Sequence, residues 1–146
     1  MSKESTMVVR LSLRRGPEWV DVGSGASLFC SPPTSFLVHA ARAAANALIV
    51  ELKASGETVT RAGGRIAGIP DLTDERNVEG LFNSLFTISA AEIAVMEWRG
   101  VETERGEPLN FDPKHLALLF QSADISDRFR RSYFRPLDEV TKEGEA

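Results

Sequence analysis

The apolar positions of the chain follow two different periods, and the switch between them marks out the elements. In residues 7–13, Val9, Leu11 and Leu13 alternate with Arg10 and Ser12, the period of two that a half-buried strand requires. Residues 18–22 alternate in the same way. Gly23-Ser-Gly25 then offers the positive backbone angles of a tight turn, from which Ala26–Cys30 returns antiparallel. These segments predict a small sheet of two or three strands. Pro32-Pro33 ends it, and Thr34 or Ser35 supplies a side-chain oxygen to the free N–H groups of a helix running from Phe36 to about Ala54. Leu37, Ala41, Ala44, Leu48 and Leu52 form the stripe of that helix, flanked by Ala40, Ala45 and Ile49, so its buried face is wide and rich in alanine.

Residues 55–73 change to Gly, Thr, Arg and Pro, too poor in apolar positions to pack alone, and read as a mobile loop. Thr73-Asp-Glu75 caps a second helix, whose stripe is Val78, Leu81, Phe82, Leu85, Ile88, Ala91, Val95 and Trp98. It reads as one helix through Trp98, with a bend point near Thr87 where Ser89-Ala-Ala-Glu92 matches a capping box. Trp98-Arg-Gly-Val101, Gly106-Glu-Pro-Leu109 and Phe111-Asp-Pro113 close this helix, turn the chain and open the next, a hinge between packed helices. Asp112 before Pro113 starts a short third helix packed through Leu116, Leu119 and Phe120. After Ser122-Ala-Asp124 a fourth helix puts Ile125, Phe129, Tyr133, Leu137 and Val140 at helical spacing, with Pro136 interrupting it. The predicted class is α+β, mainly helical: a small N-terminal antiparallel sheet packed on about four helices. It forms one domain over residues 1–146, with 1–6 and 142–146 disordered.

Composition narrows the function classes. An apolar fraction of 42% and a charged fraction of 26% lie near globular averages, so the core needs no metal or disulfide staple. A net charge of -4 gives no overall electrostatic reason to bind nucleic acid or an anionic membrane. Cys30 is the single cysteine, which excludes an intramolecular disulfide and a thiolate metal cluster and fits a reducing cytoplasm. No apolar run approaches the roughly 18 residues of a membrane span, so neither a membrane nor a nucleic acid is an expected partner.

The candidate chemistry is sparse. His39 and His115 are the only histidines, and Cys30 with His39 is the only Cys/His pair close in sequence. A small apolar filler is the simpler account of Cys30. Asp112 and His115 stand three apart, but two ligands are too few for zinc and capping explains the aspartate. Gly23-Ser-Gly25 lacks the third glycine of a dinucleotide fingerprint, and no Gly-Lys-Ser/Thr triplet occurs. Arg128, Arg130, Arg131 and Arg135 are interleaved with Asp124, Asp127, Asp138 and Glu139, the pattern of an ion-paired helix face. No catalytic, cofactor or metal site follows, and a non-enzymatic protein is expected. The candidate partner-binding residues are Trp98, Val101, Phe111, Tyr133 and Phe134, because aromatic anchors carry much of the energy at interfaces, although core packing is the favoured account of Trp98 and Tyr133, which lie on apolar stripes, and Phe134 stays open between the two.

The order Trp19-Val-Asp-Val-Gly23, Pro33-Thr34, Ala40-Ala-Arg-Ala43, Trp98-Arg-Gly-Val101, Gly106-Glu-Pro-Leu109, Asp112-Pro113 and Tyr133-Phe-Arg-Pro-Leu137 resembles the small tail assembly chaperones of phages and prophages, especially those of alphaproteobacteria. The resemblance covers roughly residues 18 to 143. It implies a non-enzymatic assembly factor without cofactor, which keeps the apolar helices of the tape-measure protein soluble until the tail tube forms around them. The tail-tube protein is a second candidate partner, and a homo-oligomer stays open. The chain departs from the pattern in the stretch Met1 to Pro17, in its glycine-rich loop and in lacking a longer polar tail after Glu143. Two other classes remain: a tail or head-tail component retained in the virion, and a small-ligand enzyme built on Cys30 and His39.

Overall fold

The computed structural model describes residues 16–55 and 71–134. The expected strand at 7–13, residues 56–70 of the expected 55–73 loop, the termini 1–6 and 142–146, and Arg135, Pro136, Leu137, Asp138, Glu139 and Val140 lie outside the described residues; of the loop's described ends, Ser55 closes a helix and Thr73 hydrogen-bonds to Asp71.

The alternation at the start of the described chain gives two strands, β1 (Glu18–Gly23) and β2 (Ala26–Cys30). They pair antiparallel with Val20 opposite Leu28. The turn between them uses positive φ at Gly23, Ser24 and Gly25 (84°, 57° and 81°), and the Asp21 carboxylate accepts the Gly23 N–H at 2.8 Å. Ala26, Leu28 and Cys30 all point inward and are buried. Thr34 caps the next helix, α1 (Ser35–Ser55), by accepting the Leu37 N–H at 3.1 Å. Leu37, Ala41, Ala45, Leu48, Ile49 and Leu52 are its buried positions, whereas Ala44, expected on the stripe, is exposed. Its interior face is rotated toward Ala45 because α1 packs chiefly against a single neighbour, the second helix.

That neighbour, α2 (Glu75–Ala94), starts where expected and ends four residues early. Asp74 caps it through the Arg76 N–H. The capping-box match marks no break: the helix is continuous through Thr87, whose hydroxyl donates to the Asn83 carbonyl at 2.8 Å. After Ala94 the chain becomes extended and forms β3 (Val95–Arg99), antiparallel to β2, in the sheet order β1-β2-β3. This corrects the single helix through Trp98. Val95 and Trp98 are three apart, as on a helix, yet both are buried on one face of a strand. The reason is a bulge: Cys30 pairs with Val95 and Phe29 with Glu97, so Met96 is an extra residue on β3 and shifts the alternation by one.

The expected hinge between helices is instead a pinned connection from strand to helix. Gly100 has φ 78°, and a Cβ there would meet the Gly25 carbonyl oxygen at 2.0 Å, so only glycine lets these two backbones touch. The Leu109 N–H donates to Val101 at 2.9 Å and the Thr103 N–H to Glu107 at 2.8 Å, closing residues 101–109 into a small ribbon. Asp112 then caps a 3-10 turn, Pro113–His115, which runs into the short helix α3 (Leu116–Leu119). Ser122 caps α4 (Ala123–Tyr133), whose Ile125, Phe129 and Tyr133 are buried one helical turn apart. This last helix packs against β1. The fold is α+β and mainly helical, with its third described strand drawn from the middle of the chain.

Two apolar clusters result. The larger joins the inner face of the sheet to the first half of α1, the last half of α2, α3 and α4. The smaller joins, among the described residues, the second half of α1 to the first half of α2, with Leu72 packed against it.

Candidate interaction surface

The aromatic residues nominated from the sequence are engaged within the protein. Trp98 is buried, donates its indole N–H to the Leu109 carbonyl at 2.8 Å and meets Phe111 edge-on at 5.2 Å. Tyr133 is buried, and its hydroxyl donates to the Ser31 carbonyl at 2.8 Å. Phe134 is half-buried, stacked on Phe86 at 5.7 Å and set against Tyr133 at 5.0 Å. Val101 and Phe111 are half-buried against the same core. The structure therefore gathers Trp98 with Phe111, and Tyr133 with Phe134, as packing pairs.

The Cys30 thiol is buried and donates weakly to the Leu28 carbonyl at 3.6 Å. Burial pushes its pKa up to about 12, so at neutral pH it is a thiol and not the nucleophilic thiolate. His39 is exposed on α1. The two groups occupy different environments. Asp112 accepts the Lys114 N–H at 2.9 Å as a cap, and His115 Nδ1 is buried without a hydrogen-bond partner. Among the described residues no group of three or more His, Cys, Asp or Glu side chains is placed to hold a metal. Arg131 pairs with Asp127 at 2.9 Å, and the Arg128 side chain lies over Gly23.

The accessible apolar surface lies elsewhere. Besides its packed stripe, α1 carries a second one at the 4-3-4-3-4 spacing of Phe36, Ala40, Ala43, Ala47, Val50 and Ala54. Phe36 is 77% exposed and Val50 65% exposed. This two-sided pattern corrects the expectation that no apolar run reaches the length of a membrane span. Ser35–Ala54 has a mean hydropathy of 1.2, long and apolar enough by length and composition alone, with 28% of that window buried. Phe36 and Val50 are the large apolar side chains exposed on this face, and the positions between them on the stripe are alanines.

Val50 also joins this stripe to an open groove of about 810 Å³ between α1 and α2. Ile49, Leu72, Val78 and Phe82 give it an apolar floor, and Lys53 on one side and Glu75 and Glu79 on the other give it charged rims. The signal for this surface was present in the sequence: Phe36 and Val50 fall off the main stripe and share the second one. Reading one amphipathic face per helix hid it.

The sheet contributes another exposed patch. Trp19 (40% exposed) and Phe29 are in ring contact at 5.1 Å on its solvent side, and the Arg99 guanidinium lies 4.2 Å over the Trp19 ring. Compared with family models, curated proteins and solved structures, the chain has no match in any of the three.

Proposed function

We propose that this protein is a non-enzymatic assembly chaperone of the phage or prophage tail type, which covers apolar helical segments of the tape-measure protein in the bacterial cytoplasm. The observation that carries the reading is the second apolar stripe of α1, with Phe36 and Val50 exposed and continuous with the α1/α2 groove. The order of motifs that resembles the tail assembly chaperones supports it. An amphipathic segment laid along α1 removes apolar area from water on both partners, worth about 25 cal/mol per Å². Association and side-chain ordering cost several kcal/mol, which keeps such a contact reversible, as a chaperone that hands over its client requires. The contact needs no cofactor.

Co-expression with a tape-measure fragment tests this. The fragment is expected to stay in the soluble fraction as a recoverable complex with the wild-type chain, and to be lost to the pellet with a double F36D and V50D variant. Both positions are exposed, so the variant keeps its fold. A fragment equally insoluble with and without the protein would sink the proposal.

A further inference from the structure

The solvent side of the sheet carries large apolar side chains. Pairing aligns its outward residues in two cross-strand rows, Trp19–Phe29–Glu97 and Asp21–Ser27–Arg99. The bulge residue Met96, 46% exposed, stands beside them. An outer sheet face is ordinarily polar, yet this one displays tryptophan, phenylalanine, methionine and arginine, the types enriched in interfaces. We propose that the protein self-associates through this face, as a two-fold dimer whose axis runs along β2.

The charge arrangement selects that occupant and that axis. Asp21 and Arg99 sit at opposite ends of one row, separated by Ser27. A rotation about β2 reverses the row, so Asp21 of each copy meets Arg99 of the other at both ends, and Ser27 meets Ser27. The other row sets Phe29 on Phe29 and Trp19 opposite Glu97. An axis across the strands instead places Phe29 on Ser27 and leaves Asp21 without a cation. In the single chain Arg99 rests over the Trp19 ring. Such an exposed cation–π contact contributes little, so the guanidinium is free to swing toward the copy. Three strands of five or six residues make a patch below the ~800 Å² per partner of a standard interface. The dimer is accordingly reversible and dependent on concentration and salt.

Sedimentation equilibrium of the full chain, without any tape-measure fragment, reads this independently of the proposed function. The wild type is expected to show a monomer–dimer equilibrium. R99E and D21K each place like charges at both ends of the row and are expected to weaken association roughly tenfold or more. An equimolar mixture of the two variants restores it, because each end of the mixed pair then carries one acid and one base. Asp21 also accepts the Gly23 N–H, so S27C supplies a readout that leaves the turn intact. A short bismaleimide should link two copies at the axis, while buried Cys30 does not compete. A wild type that stays monomeric at millimolar concentration, a mixture no tighter than its components, or an S27C variant that yields no linked dimer would each overturn the proposal.

Discussion

The two apolar clusters share a pair of helices and differ in what closes them. Around Phe129 the larger cluster is shut on every side: Phe120 lies edge-on at 5.1 Å, Tyr133 stacked at 4.9 Å, and the inner face of the sheet completes it. The smaller cluster is a helical hairpin in which Ala45, Leu48, Ile49 and Leu52 of α1 meet Leu81 and Leu85 of α2, with no strand residue among its described members. Two helices can bury only the stripes that face each other, so apolar side chains on the other faces remain in water. Val50 is exposed at this end, and the groove opens here. The groove thus belongs to the hairpin end, whereas the exposed stripe of α1 runs from Phe36 beside the larger cluster to Val50 beside the smaller one, with Phe86 packed against both clusters.

The largest effect should come from the closed side. Phe129→Ala removes a fully buried ring from a site that cannot collapse, and is expected to cost about 3–5 kcal/mol. Leu85→Ala is equally buried, but the open hairpin can adjust around the gap, so a cost near the lower end of about 2–5 kcal/mol is expected. Urea unfolding of both variants measures the contrast. Equal losses would show that the hairpin is as constrained as the sheet body.

The next effect probes how the closed side is held. Gly100→Ala puts a methyl group on the Gly25 carbonyl at a φ of 78°, where neither backbone can yield without opening the contact between β3 and the β1–β2 turn. Left-handed strain of about 1–2 kcal/mol plus the clash gives a loss of about 2–4 kcal/mol. Gly106→Ala is the control. It has φ 81° and open space around it, so strain alone is expected, about 1–2 kcal/mol. Matching losses for the two variants would mean that the close approach at Gly100 contributes nothing.

The same contrast explains what could be read from the chain. The β1–β2 hairpin, the capped starts of α1 and α2, the Asp112-Pro113 turn and the Ile125–Phe129–Tyr133 stripe are local devices, written within a few residues, and the fold contains them. Strand β3 was not legible. Val95 and Trp98 keep helical spacing only because a bulge opposite Cys30 inserts Met96, and that bulge exists through pairing with a strand 65 residues earlier. The burial of Trp98 and Tyr133 was indicated by their apolar stripes, but their polar partners were non-local, since the indole and the hydroxyl bond to Leu109 and Ser31. The exposed stripe of α1 was missed for the opposite reason. Which apolar face of a two-sided helix is covered depends on how many neighbours it finds, and a sequence pattern alone does not count neighbours.

Tyr133→Phe measures one of those non-local ties. The ring stays in its stack while the Ser31 carbonyl loses a donor 102 residues away in sequence, so a loss of about 1 kcal/mol in urea unfolding is expected. No measurable loss would assign the anchoring of α4 to ring packing alone.

The smallest effect should be confined to the hairpin. At the start of α2 the partly exposed Asp74 carboxylate accepts the Arg76 N–H at 2.9 Å and pairs with the Arg76 guanidinium at 3.1 Å. The side-chain bond from Arg76, followed by the backbone bond, holds its pKa below the ordinary carboxylate value. Asp71 is lowered likewise by the hydroxyl and then the N–H of Thr73. A folded pKa below the unfolded one means that the contribution is present above the ordinary carboxylate pKa of about 4 and lost as pH falls through the folded value. Asp74→Asn keeps an oxygen for the Arg76 N–H but removes the charge. It should therefore flatten the acid-side decline in amide-exchange protection at the start of α2, while leaving the exchange of β2 unchanged. Salt should shrink the difference, because both groups face water. An identical acid limb in the two proteins would mean that the start of α2 is held by packing and backbone bonding, and the hairpin would then owe its separate character to open apolar surface and not to its charged cap.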